Sequence, residues 1–352
     1  MGAARTVLRS FLPFLVGFPI LLAVQWLLDA NEMGTEQLIL INVAINVVLA
    51  VSLNVVNGFT GQFSLGHAGF MAVGAYTAAK ITLTWAAEPV AGLPPGVSEQ
   101  LVFALALAAA MGAAALAGFL VGMPSLRLRG DYLAIVTLGF GMIIVSIIEN
   151  VEPLGRAIGL SGIPRLTTVV WAGVAVIATI SMARRLAIST QGRALFAIRE
   201  DEVAAEAMGV DTTGYKVRAF VISAAFAGLA GGLMVHLLQL ATPRSFTFIR
   251  SFEVVVMVVL GGLGSITGSV LAAAFLTIAI ELLREFDKFR MVLYAVMLIG
   301  LMLLRPQGLF GTRELWDLPL FRRLPWRKLG VTPGVEGASP TEVRDDEAGG
   351  DR

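Results

Sequence analysis

Apolar residues fall in long blocks along this chain, parted by short polar intervals. The blocks run over 11–28, 38–56, 64–85, 101–123, 132–148, 168–183, 219–240, 252–260, 269–283 and 291–304. Most have about the length an α-helix needs to cross a ~30 Å hydrocarbon core. Helix is the required form, because lipid offers no partners to backbone N–H and C=O groups. The pattern predicts an all-α polytopic membrane protein with about ten transmembrane segments. The block at 252–260 is too short to span unaided, so the range is eight to ten.

Basic residues orient the blocks. Arg5 and Arg9 precede the first, while the interval 29–37 carries Asp29, Glu32 and Glu36 and no Lys or Arg. Positive charge is retained on the cytoplasmic side, which places the N-terminus there. No small-residue cleavage site follows block 11–28, so it reads as a retained first helix rather than a signal peptide. Arg127 and Arg129 mark the cytoplasmic turn after block 101–123, and ten crossings return both termini to the cytoplasm. Three regions result: 1–37 holds the first helix, 38–310 forms the main membrane domain with the polar interval 184–218 inside it, and 311–352 is a cytoplasmic tail. In that tail, Arg322, Arg323, Arg327 and Lys328 surround Trp326 as an interfacial patch for anionic lipid headgroups. Residues 332–352 are polar and predict disorder.

The densest polar interruption is Asn57-Gly58-Phe59-Thr60-Gly61-Gln62-Phe63-Ser64-Leu65-Gly66-His67. Glycines at the seam between apolar blocks suggest a broken helix or very close helix packing. A second cluster, Gly261-Gly262-Leu263-Gly264-Ser265, interrupts the last third and echoes the first. Two interrupted blocks, one per half, point to an internal repeat with a pathway between its halves. Candidate pathway residues are therefore Asn57, Gly58, Thr60, Gly61, Gln62, Ser64, Gly66, His67, Gly261, Gly262, Gly264 and Ser265. The bland alternative makes these glycines packing contacts and His67 a hydrogen-bonded structural residue, with His236 structural likewise.

Composition narrows the chemistry. The chain is 57% hydrophobic and 14% charged, with no cysteine and two histidines. Disulfides and thiolate ligands are excluded, and no metal site is expected. No phosphate-binding loop with lysine and no nucleophile or metal-protease motif occurs, so no ATPase site and no catalytic residues are assigned. Glu253 and Glu281 are the only carboxylates placed to serve ion coupling, each near a block end. Their bland reading is a paired or headgroup-facing charge. Energy for transport is expected from another subunit.

The longest polar interval between blocks, 184–218, supports that expectation. Within it Asp201 suits a helix N-cap, Glu202 the positive end of the helix dipole and Gly209 the position after a helix C-terminus. A short helix tied at both ends to membrane helices makes a lever for a motor. Gly192, Arg193, Arg199, Glu200, Asp201, Glu202, Ala205, Glu206 and Gly209 are its candidate coupling residues.

Three stretches carry a resemblance: Ser64 to Phe70 (SLGHAGF), Gly130 to Gly141 (GDYLAIVTLGFG) and Gly192 to Asp211 (GRALFAIREDEVAAEAMGVD). Tyr215 to Gly232 and the cluster Gly261 to Gly268 extend it, and it covers roughly 38–310. The sequence resembles the permease subunit of branched-chain amino acid ABC importers, most closely the M-type member. The resemblance implies an ABC importer permease fold in the bacterial inner membrane and maps the coupling loop onto 192–211. It also implies a second, H-type permease, two cytoplasmic ATP-binding subunits that use ATP and Mg, and an extracytoplasmic substrate-binding protein. No cofactor is expected on this chain, and nothing points to nucleic acid. Related permeases carry urea, short amides and sugars, so other small polar solutes remain as cargo. A self-sufficient facilitator or channel is the rival from another class.

Overall fold

The computed structural model describes residues 17–30, 34–85, 94–126 and 132–283, with isolated positions between 292 and 308. Arg5, Arg9, Arg127, Arg129, the turn at 284–290, most of the predicted crossing at 291–304 and the tail at 311–352 lie outside the described residues.

The described chain is helical almost throughout. α1 (Gly17–Ala30) and α2 (Gly34–Asn54) come first, and α2 ends in a wide π-helical turn, Val55–Phe59. After an extended stretch at 61–66 follow α3 (His67–Trp85), α4 (Pro95–Ser125) and α5 (Tyr132–Asn150). α6 (Val169–Ile188) leads to two shorter helices, α7 (Thr190–Glu200) and α8 (Glu202–Ala207). α9 (Thr212–Leu238), α10 (Phe248–Gly261) and α11 (Ile266–Leu282) complete the bundle. Five helices among the described residues are long and apolar enough to cross a membrane: α2 with its π-turn, α4, α5, α6 and α9.

Helix starts follow local chemistry. Thr168, Ser189, Asp201, Asp211 and Ser265 each accept a hydrogen bond from the first-turn N–H groups of α6, α7, α8, α9 and α11. Such caps satisfy donors that have no partner within the helix. Gly209 sits at φ +85° just after α8, where Val210 N donates back to Ala205 O. A side chain would strain that left-handed position.

The helices α3, α4 and α9 pack as a tight trio, and α2 lies against α9, α6, α10 and α11. Small residues set the spacing of the trio. A Cβ placed on Gly74 would fall 2.2 Å from Gly228 Cα, and one on Gly231 would meet the Met71 carbonyl oxygen just as closely. Close backbone approach of this kind replaces hydrophobic driving force between helices in lipid. Hydrogen bonds add register: Thr82 Oγ1 lies 2.9 Å from His236 Nε2, whose Nδ1 donates to Gly232 O. His236 is fully buried beside Phe103.

One expectation changes in detail. The predicted short block at 252–260 belongs to a helix that begins earlier, at Phe248, because the 3-10 turn Pro243–Phe246 closes at Thr247 and the next helix starts from it. At 14 residues and roughly 21 Å, α10 is still shorter than a bilayer core. The interval 149–167, which parts two of the predicted blocks, holds two 3-10 turns and a strand, β1 (Leu160–Ser161). It pairs antiparallel with β2 (Leu240–Ala241), Leu160 opposite Ala241.

Candidate functional site

Both glycine clusters are true helix interruptions, and they meet. The first is the π-turn with the extended chain after it; the second is the four-residue turn 262–265 between α10 and α11. Asn54 joins them: its Nδ2 donates to Ser265 O at 3.0 Å, and its Oδ1 accepts from Gly264 N at 2.9 Å. A Cβ on Gly58 would lie 2.4 Å from Gly264 N, so only glycine permits the approach. Gly262 and Gly264 carry φ of +108° and +91°. The two interruptions also differ. One is a compact turn, whereas the other is extended chain that runs back into the bundle before α3 begins.

The side chains of the first cluster hold that extended chain. Asn57 Oδ1 accepts from Ser64 N at 3.2 Å, and Thr60 Oγ1 donates to Val56 O and accepts from Gln62 N. Leu65 N donates to Thr137 Oγ1 of α5, and a Cβ on Gly66 would stand 2.5 Å from Thr137 O. His67 is buried, its Nε2 3.1 Å from Ser52 Oγ. Ala68 N donates to Ser251 Oγ of α10. Asn57 Nδ2 is buried without a hydrogen-bond partner among the described residues. Gly61 and Gln62 are not enclosed, and the second cluster keeps Gly261 buried against Gly268. Ser265 caps α11 through its bond from Gly268 N.

The candidate coupling segment is in direct contact with both interruptions. From the last turn of α7, Arg199 Nη1 donates to Gly58 O at 2.9 Å and reaches Leu263 O at 3.5 Å. Phe196, one turn earlier, packs against Phe59 with ring centroids 5.1 Å apart and the planes tilted by 50°. Residues assigned separately to pathway and coupling thus form one cluster at one end of the bundle.

The remaining candidate coupling residues divide into two sets. Gly192 is buried against Leu186 O at the start of α7, and Ala205 is buried under α8. Glu202 turns toward α9, its Oε2 2.5 Å from Lys216 Nζ, and the Lys216 side chain is 1% exposed. Arg193, Glu200, Asp201, Glu206 and Gly209 face outward. Val203 and Met208 join them, 62% and 84% exposed, so α8 presents an apolar edge flanked by carboxylates.

The sequence profile described as branched-chain amino acid transport system / permease component matches residues 37–304. The chain belongs to this permease family. It is 36% identical to the high-affinity branched-chain amino acid transport system permease protein LivM of Escherichia coli, an alignment covering 84% of this chain and 74% of that protein. A probable branched-chain amino acid transport permease protein LivM of Methanocaldococcus jannaschii is 24% identical, with 80% and 85% covered. Similarity extends to LivH of Salmonella typhimurium, a high-affinity branched-chain amino acid transport system permease protein, at 29% identity with 65% and 70% covered. No solved structure matches. The chain is a multi-pass permease subunit of a branched-chain amino acid ABC importer.

For a permease of this family, two groups missed from the sequence become prominent. Asn54, together with Asn46, stood in plain view: amides inside an otherwise apolar block need partners at membrane depth. Arg250 was placed outside a crossing because block 252–260 began after it. It pairs with Glu253, Nη1 to Oε2 at 2.9 Å, and its Nη2 donates to Asn46 Oδ1 at 2.6 Å. The paired reading of Glu253 is the one the geometry supports.

Proposed function

We infer that this chain carries leucine-like amino acids inward across the bacterial inner membrane, in partnership with an H-type permease. Two ATP-binding subunits grip α7 and α8 on the cytoplasmic face, and an extracytoplasmic binding protein delivers the cargo. Hydrolysis of ATP belongs to those partners. The relatives of this family are named for branched-chain amino acids, and that supports the cargo class.

One observation carries the mechanism: Arg199 of α7 holds the carbonyls of Gly58 and Leu263, one from each helix interruption. A force on α7 therefore reaches α2–α3 and α10–α11 together. Glu202–Lys216 fixes the other end of the segment to α9, so α8 cannot swing independently of it. The exposed edge of Val203, Glu206 and Met208 supplies the docking surface. Residues 57–66 and 261–265 form the base of the pathway, where turning of these segments opens or shuts the cytoplasmic side.

Reconstitution tests this reading. Proteoliposomes holding both permeases, the ATP-binding subunits and the binding protein should accumulate leucine only with ATP. This chain alone should pass none. Downhill flux through the chain alone would favour a facilitator instead.

A further inference from the structure

The Arg250–Glu253 pair lies at the middle of the membrane-spanning bundle. Asn46, which accepts from Arg250, stands twelve residues after Gly34 and thirteen before Phe59 in the 26-residue apolar span. From the other direction, Arg250 precedes Gly261 by eleven residues, roughly 17 Å along α10. Asn46 Nδ2 donates in turn to Thr277 Oγ1 of α11 at 2.8 Å. Three helices, α2, α10 and α11, thus bring an ion pair, an amide and a hydroxyl to one place at mid-depth.

The pair is not sealed in the core. The side chains of Arg250 and Glu253 are 21% and 37% exposed. Asn42, one turn from Asn46 on α2, is exposed as well, and Glu281 lies one turn from Thr277 on α11. Hydrocarbon cannot solvate such a face, and charged side chains at this depth mark solute paths or water-filled cavities far more often than lipid contacts. Arg250 Nε is buried with no hydrogen-bond partner among the described residues, so the donors of the guanidinium are not all used.

We propose that Arg250 and Glu253 recognise the zwitterionic end of the amino acid on its way through, Arg250 donating to the α-carboxylate and Glu253 accepting from the α-ammonium. This rests on the transport function inferred above and adds where the charged end of the cargo is read. The charge balance suits it. Empty, the two side chains neutralise each other; occupied, each exchanges its partner for the opposite charge of the cargo. No unpaired charge is left at mid-membrane in either state. A simple anion or cation would leave one of the two uncompensated, a cost that selects against it. Phe248, Ile249 and Phe252, exposed beside the pair, offer an aliphatic side chain an apolar surface.

The test uses the complete importer in proteoliposomes. Leucine uptake by the wild-type assembly reports the function itself; if the wild-type assembly carries no amino acid, the transport reading fails whatever the pair does. Given wild-type uptake, Arg250→Gln and Glu253→Gln should each reduce it about tenfold or more, the scale of one lost charge-assisted contact. Glu253→Asp should retain most of it. Where a Gln variant does not assemble, a reporter beside the intact pair decides. The chain has no cysteine, so Ile249→Cys, one turn from Glu253, introduces a single thiol. A cationic methanethiosulfonate should modify it in the assembled importer, and saturating leucine should slow the reaction several-fold. Uptake near wild type in the assembled Gln variants overturns the proposal. So does a thiol that stays unmodified in the assembled importer, or one that reacts equally fast with and without leucine.

Discussion

Single residues decide whether the two helix interruptions stay joined. Arg199 reaches a carbonyl of each interruption through one nitrogen, Nη1, 2.9 Å from Gly58 O and 3.5 Å from Leu263 O. Arg199→Ala should leave the subunit assembled and the partner ATPase active, while uptake per ATP falls about tenfold, as expected for two lost charge-assisted bonds. A purified complex assayed for hydrolysis and uptake together checks this. Glu202 is a different case. Glu202→Gln leaves the nearly buried Lys216 ammonium without its counter-charge, and breaking such a pair costs on the order of 3 kcal/mol. The expected result is a lower melting temperature, more than a selective loss of coupling. Gly66→Leu forces atoms into the Thr137 carbonyl, and overpacking of about 1–3 kcal/mol or more should show as lost transport or assembly. The sequence disclosed these glycines because nothing else tolerates such approach. It concealed Arg199 as a junction, since its partners lie 141 and 64 positions away and are backbone atoms that leave no residue signature.

Among whole elements, legibility followed hydrophobic contrast. The long apolar blocks around α2, α4, α5 and α9 were readable because lipid forces unbroken helix there. The cap of α8 was readable because Asp201 acts on backbone N–H groups within three residues. The start of α10 was not, because Arg250 lies inside it and broke the apolar run; tertiary partners, not local pattern, hold that charge. α7 was not set apart as a helix of its own, although Gly192, Arg193, Arg199 and Glu200 within it stood among the coupling candidates. The apolar edge of α8 makes a prediction at this scale. Val203→Asp or Met208→Asp should weaken binding of the ATP-binding subunits about tenfold, leaving the fold unchanged, because both side chains are exposed in the free chain. Co-purification of the subunits reads the effect.

Across the molecule, function depends on which helices move together. α3, α4 and α9 meet through glycine and alanine, backbone nearly on backbone. A Cβ on Gly232 would stand 3.2 Å from Ala78 Cβ and 2.8 Å from Leu107 Cδ2, so a small shift of the Leu107 methyl group leaves room for a cross-strap between α9 and α3. In a chain without native cysteines, Ala78→Cys with Gly232→Cys should oxidise readily and carry leucine at an undiminished rate. Loss of uptake that returns with reductant would show relative motion between these helices.

Interlocked backbones with no side chains between them cannot slip by one notch and find a second resting place, as interdigitated side chains can. On the mechanism proposed above, the glycine seam of α3 and α9 would be the hinge plate of the gate: fixed to the frame, it would leave the stroke delivered through α7 for α2, α10 and α11 to absorb.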